Sequence, residues 1–257
     1  MIKTLPENKH GRDFVIGDLH GCFDLLSDAM DNLCFDPQVD RIISVGDLID
    51  RGPDSLKCLR LLEKPWFHCV KGNHEQLMED WMTGGPTGSW WFGNGGDWFR
   101  VLSDNDKKEV VNMLPKVQTL PWIITVEGTV KFHVIHAEID PSVTDKTLAD
   151  PTQFRINALK QTADGPTCIW GRRIFGGLYQ RNIRVDVIRE RVGNTKTNFS
   201  LLFCGHTIMK RPVSILGHTN IDTGAFSNSS LCVTEPITGN FWITNNDGTT
   251  RVDRISV

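Results

Sequence analysis

Lys71-Gly72-Asn73-His74-Glu75-Gln76 follows the apolar run Pro65-Trp66-Phe67-His68-Cys69-Val70 and sets an amide beside an imidazole where a strand should end. Successive side chains on a strand point to opposite faces, so Asn73 and His74 converge on one point only where the chain turns. Gly72 permits such a turn. The same arrangement recurs along the chain. Phe14-Val15-Ile16 precedes GDLHG (17–21), Arg41-Ile42-Ile43-Ser44-Val45 precedes GDLIDRG (46–52), Phe132-His133-Val134-Ile135 precedes His136-Ala137, and Leu201-Leu202-Phe203-Cys204 precedes Gly205-His206-Thr207. Each apolar run ends in glycine, carboxylate, amide or imidazole.

Short continuous apolar runs bounded by glycine predict strands buried on both faces. Phe23, Leu26, Met30 and Leu33 share one helical face, and Asp54-Ser55 after Pro53 opens a helix carrying Leu56, Leu59 and Leu62. Residues 13–83 therefore read strand, helix, strand, helix. In such sheets ligands gather beyond the carboxyl ends of the strands, where all these polar clusters fall. Later, Trp122–Val126, a turn at Glu127-Gly128 and the run from Val130 predict a hairpin. Val213–Ile221, Leu231–Thr234 and Asn240–Thr244 predict further strands, with a second, mixed sheet packed on the first. The stretch from Ala137 to Asn198 is the least legible, with a helix expected at about Pro151–Thr162 between mobile loops. No repeat, low-complexity tract or linker divides the chain, so residues 1–257 read as one domain.

The 257 residues carry 28 Lys and Arg against 31 Asp and Glu, a formal charge of −3, which gives no basic excess to hold a nucleic-acid backbone. No apolar run approaches the ~20 residues that span a bilayer, and the start MIKTLPENKHGRD lacks a secretory core. The expected address is the cytoplasm. Seven cysteines without CxxC spacing argue against a disulfide frame or a zinc ribbon; Cys22, near a motif, reads as a structural thiol.

Asp18, Asp47 and Asn73 offer oxygen, and His20, His136 and His206 offer imidazole. Such donors without thiolate suit Mn, Fe, Zn or Co. Six side chains exceed what one catalytic ion with open positions needs, but Asp47 has two oxygens and could bridge two ions about 3.5–4 Å apart. The expectation is a pair of divalent cations.

GDLHGC, GDLIDRG and GNHE, followed by His-Ala and GHT, resemble the metallophosphoesterase superfamily, and within it the phosphoprotein phosphatases of bacterial and phage type, from about residue 13 to residue 226. The resemblance implies an α/β fold, a two-sheet sandwich flanked by helices (α/β/β/α). It implies that Asp18 and His20 hold one metal, that Asn73, His136 and His206 hold the other, and that Asp47 joins them. Manganese is the first expectation for both ions. His74 resembles the general acid, with Asp50 orienting it and stabilising its cation. Arg51 would grip phosphate oxygens in a planar, two-point fashion. Two divalent cations outweigh Asp18, Asp47 and a bridging hydroxide by about one unit of charge, so the centre attracts phosphate. The implied reaction is direct in-line attack by that hydroxide, His74 protonating the leaving oxygen. A second phosphate-gripping arginine falls in Cys168-Ile169-Trp170-Gly171-Arg172-Arg173, where glycine replaces the family's asparagine; Arg172 is preferred to Arg173.

Taken singly, each aspartate after a strand is a turn residue or cap and each histidine an ordinary polar residue; their joint spacing decides otherwise. His10, His68, His133 and His218 keep the ordinary reading. Glu75 caps or braces the turn without chemistry of its own. Asp222 is balanced between a turn residue and a hydrogen-bond partner of a metal ligand. Ser89 to Phe99 holds three tryptophans, favouring packing over a pocket wall. The expected function is serine/threonine protein phosphatase, with phosphotyrosine activity and a phosphoprotein or phosphopeptide as partner. A dinucleoside-polyphosphate hydrolase of the same superfamily is the first alternative, and a non-catalytic phosphate-binding module the second. No stable nucleic-acid or membrane partner is expected, and the sequence does not fix the oligomeric state.

Overall fold

The apolar runs become strands. The computed structural model describes residues 2–158, 165–176 and 198–252. In chain order the strands are β1 (Ile2–Leu5), β2 (Asp13–Ile16), β3 (Arg41–Ser44), β4 (Phe67–Cys69), β5 (Ile123–Val126), β6 (Phe132–Val134), β7 (Leu201–Cys204), β8 (Val213–Ile215), β9 (His218–Asn220), β10 (Leu231–Glu235), β11 (Asn240–Asn245) and β12 (Gly248–Arg251). The helices are α1 (Phe23–Asn32), α2 (Ser55–Arg60), α3 (Asn73–Thr83), α4 (Trp98–Val101), α5 (Asp104–Gln118), α6 (Asp145–Ala149), α7 (Pro151–Ala158), α8 (Thr167–Trp170) and α9 (Ala225–Asn228).

One sheet runs β12-β11-β10-β2-β3-β4 and the other β1-β5-β6-β7-β9-β8. Side-chain alternation builds the layers. Val15, Ile43, Val45, Ile124, Val134 and Phe203 face inward into the core between the sheets. Their neighbours Phe14, Ile16 and Ile42 face outward, under Leu26 and Ala29 of α1, Leu59 of α2, Leu77 of α3 and Val110, Met113 and Val117 of α5. On the far side Ile123, Leu202 and Cys204 pack with Leu148 of α6, Phe154 of α7 and Ile169 of α8. The order is helix, sheet, sheet, helix, as expected. Each fully buried Ile or Val stabilises this arrangement by about 1.5–3 kcal/mol.

The alternation of strand and helix from β2 to α3 agrees with the sequence reading, and β2, β3 and β4 are parallel. Three findings go beyond it. The strands β10 and β11 extend the first sheet rather than the second, because Val233 and Thr234 pair with Ile16 and Val15. Val213–Ile221 contains the antiparallel pair β8 and β9. The amino terminus supplies β1, parallel to β5 at a sheet edge. The helix expected at Pro151–Thr162 is seen as α7 to Ala158, and residues 159–162 lie outside the described residues.

Candidate metal centre

The loops that follow β2, β3, β4, β6 and β7 meet where the two sheets adjoin, and they bring together Asp18, His20, Asp47, Asn73, His136 and His206, all buried. Reaching that point forces unusual backbone. His20 (φ 43°), Asp47 (φ 51°), Asp50 (φ 75°), Arg51 (φ 70°) and His206 (φ 68°) adopt the left-handed region, and only three other non-glycine residues do so among those described. Each such residue costs of order 1–3 kcal/mol and persists only when its surroundings impose it. Strain concentrates at the candidate site.

Asp47 is central. Its Oδ2 lies 3.5 Å from His20 Nε2 on one side and 3.4 Å from His136 Nε2 on the other. His136 Nε2 lies 3.0 Å from Asn73 Oδ1 and 3.2 Å from His206 Nδ1, and the last two are 2.9 Å apart. Donors about 2.1 Å from a common ion stand roughly 3.0–3.4 Å from one another in octahedral or tetrahedral geometry, so these spacings fit a cation. The tautomers agree. His20 Nδ1 meets the Ile49 carbonyl at 2.9 Å and His136 Nδ1 the Val45 carbonyl at 2.8 Å. A carbonyl only accepts, so both rings carry hydrogen on Nδ1 and turn an Nε2 lone pair inward.

Electrostatics makes the same point. Burial, then the charges of Asp222 and Asp47, push the Asp18 carboxyl well above its usual range. Burial pushes the imidazoles of His20, His136 and His206 down. A divalent cation reverses the first effect and needs the second, since ligating carboxylates must be ionised and ligating imidazoles neutral. The residues therefore fit a metal pair. His20, Asp47 and His74 form one group able to hold an ion, and Asp47, His136 and His206 another. His74 is the outlying member, with Nε2 3.9 Å from Asp47 Oδ2. Asp18 accepts the His206 amide N–H at 3.0 Å.

Asn73 and His74 are the first two residues of α3, so the start of the helix rather than a strand end makes the two side chains converge. Its Nδ1 lies 2.7 Å from Asp50 Oδ2, while its Nε2 is buried without a hydrogen-bond partner. Glu75 braces the turn by accepting the amides of Asp47, Leu48 and Gly72 at 2.8–2.9 Å. Burial and the Asp47 charge push its carboxyl up to about 7, against the pull of those amides. Gly72 has an ordinary φ of −90°. Glycine is required there for approach: an added Cβ would overlap Asp47 Oδ1 and stand 2.5 Å from Asp47 N. Gly72→Ala is therefore expected to weaken metal binding at least about tenfold by displacing Asp47, measured as bound ions per chain against free metal. Unchanged affinity would show that the turn tolerates the methyl.

Arg51 and Arg172 stand on the exposed rim. Arg51 Nη1 donates to His20 Nε2 at 2.8 Å, and its guanidinium lies 4.8 Å from the Phe226 ring centroid. Arg172 Nη1 donates to Thr207 Oγ1 at 3.3 Å, next to His206.

Several residues were not foreseen. Glu138, buried, accepts the amides of Arg173, Ile174 and Phe175 at 2.8–3.0 Å and so fixes the loop that carries Arg172. Its place two residues after His136 was the available signal. Trp91 and Trp98 turn out to hydrogen-bond Asp50 as well as pack. Asp222 is buried, accepts the Gly224 N–H at 2.9 Å, and is pushed up to about 7 by burial. His133 and His218 have structural roles, His133 linking Thr125 at 2.8 Å to Asp145 at 3.0 Å. All seven cysteines are free, and the Cys22 thiol is pushed up to about 11, chiefly by burial.

Residues 14–209 match the calcineurin-like phosphoesterase family. The chain belongs to that family. It is 46% identical over 127 residues to serine/threonine-protein phosphatase 2 of Escherichia coli (strain K12), a match taking in 49% of this chain and 57% of that protein. To serine/threonine-protein phosphatase 1 of Salmonella typhimurium it is 35% identical over 222 residues, 85% of this chain and 88% of that one. A shorter likeness, 44% over 71 residues, joins 26% of the phosphoesterase to 25% of a symmetrical bis(5'-nucleosyl)-tetraphosphatase of Pseudomonas putida. The fold is shared with a cold-active protein-tyrosine phosphatase of a psychrophilic Shewanella species, at 16% identity and a TM-score of 0.55 over 98% of this chain and 83% of that one. Among the described residues no helix is long and apolar enough to cross a membrane.

Proposed function

We propose that this phosphoesterase is a serine/threonine protein phosphatase that also accepts phosphotyrosine, the whole chain acting as one domain. The observation that carries the reading is the buried, unpartnered Nε2 of His74, backed by Asp50 at 2.7 Å and set beside the Asp47 cluster. A group so placed can give a proton to the oxygen leaving phosphorus, which an alkoxide such as the serine side chain needs. Asp18 and His20 would hold one divalent cation and Asn73, His136 and His206 the other, with Asp47 shared, manganese being the first choice. When bound, such ions acidify water and offset the charge of the phosphoryl group. Arg51 and Arg172 would grip its outer oxygens.

The near full-length likeness to a protein phosphatase, against a short one to a dinucleoside tetraphosphatase, supports the choice of substrate class. Free cysteines suit a cytoplasmic address. Metal-stripped protein reconstituted ion by ion should turn over a phosphoserine peptide at least about tenfold faster than diadenosine tetraphosphate, by kcat/KM. The opposite ranking would assign the chain to the dinucleotide. On the same peptide Arg172→Ala is expected to raise KM about tenfold or more, the loss of one charge-assisted grip. Arg173→Ala should change it little; equal effects would leave Arg172 without a special role.

A further inference from the structure

The stretch Trp91 to Trp98 wraps over the loop that carries Asp50 and Arg51. Trp91 Nε1 lies 3.0 Å from both Asp50 oxygens, and Trp98 Nε1 donates to Oδ1 at 2.7 Å. With His74 Nδ1 on Oδ2 at 2.7 Å, the fully buried carboxylate is surrounded by nitrogen donors. The Gly95 carbonyl meanwhile accepts the Arg51 N–H at 3.2 Å. Asp50 and Arg51 are consecutive left-handed residues, at φ 75° and 70°, so the loop does not hold this shape by its own preference. Packing alone does not explain the indoles. Trp98 is only half-buried, and its N–H reaches the carboxylate rather than water.

We propose that Trp91 and Trp98 are positioning residues that act through Asp50, fixing its carboxylate so that His74 Nε2 stays aimed at the leaving oxygen. The proposal rests on the reading of His74 as proton donor given above. The carboxylate has two oxygens and could rotate; with Trp98 on one and His74 on the other, and Trp91 across both, rotation breaks hydrogen bonds to a buried charge, which are among the costlier ones to lose. The loop thus fixes the His74 ring by way of its partner, and the Arg51 backbone from the same side.

Trp98→Phe retains an aromatic ring beside Trp91 and Phe99 while removing the N–H together with part of the bicycle. With both ions saturating, it should lower kcat on a phosphoserine peptide about ten- to a hundredfold. On p-nitrophenyl phosphate, whose leaving group needs no proton, kcat should stay within about threefold, with KM and bound metal unchanged. Placed in a His74→Asn background, Trp98→Phe should have no further effect on the peptide, because its route of action is already gone. Trp91→Phe should give the same split. Equal losses on both substrates, a loss that multiplies with His74→Asn, or no loss at all would overturn the proposal. If His74→Asn alone shows no difference between the two substrates, the proton-donor reading itself falls; if it shows the difference and Trp98→Phe does not, only the clamp does.

Discussion

Asp47→Asn is expected to abolish hydrolysis of every phosphate ester, by at least about a thousandfold in kcat/KM, and to leave the chain unable to hold two ions. The variant is nearly isosteric and keeps one oxygen, so packing in the buried loop is preserved and the charge is what changes. Asp47 Oδ2 stands between His20 and His136, one from each candidate ion's set, so no other side chain can replace it. Burial alone would raise its carboxyl; the His74 amide N–H, which Asp47 Oδ1 accepts at 3.0 Å, opposes burial, and a bound cation would hold it ionised. Loss of several kcal/mol of charge stabilisation at the phosphoryl group corresponds to the stated factor. Elemental analysis beside steady-state kinetics checks it. A variant that still bound two ions per chain and kept a tenth of the activity would refute the bridging assignment.

His74→Asn should separate two substrates that the first variant treats alike. Asparagine cannot deliver a proton, and positioned general acids contribute about 10²–10⁴-fold, so kcat on a phosphoserine peptide should fall by that amount. On p-nitrophenyl phosphate the fall should be within about tenfold, because nitrophenolate leaves unprotonated. His74 Nε2, 3.9 Å from Asp47 Oδ2 and without a hydrogen-bond partner, stands at the edge of the cluster, so the ions should remain bound. Equal losses on both substrates would remove His74 from the proton-transfer step, and lost metal would make it a ligand.

The sequence was most legible where polar residues had to follow apolar runs. GDLHG, GDLIDRG and GNHE each sit at the end of a parallel strand, so periodicity and motif agreed and the residues that meet at Asp47 could be named. It was least legible where identity depends on distant pairing. Nothing local in Leu231–Glu235 says that it joins β2 rather than the second sheet. The long helix α5 left a readable trace in Val110, Met113 and Val117 and in Ser103, whose hydroxyl accepts the Asp106 N–H, but no motif drew attention to it. Gly72 was legible as glycine and not as the reason for it: close approach to Asp47, not a left-handed turn. The tryptophans of the 89–99 stretch looked like packing because an indole N–H shows no partner until the fold supplies one.

The cluster draws Asp18, His20, Asp47 and Asn73 from loops of one sheet and His136 and His206 from loops of the other, joining residues as far apart as Asp18 and His206, 188 positions along the chain. Ions seated there would rivet the two layers, closing a loop most of the protein long and stripping freedom from the unfolded chain. Folding free energy would then track the cell's supply of the ion, by about 1.4 kcal/mol for each tenfold rise above its dissociation constant. Starvation for that ion would lower the abundance of the protein as well as silence it.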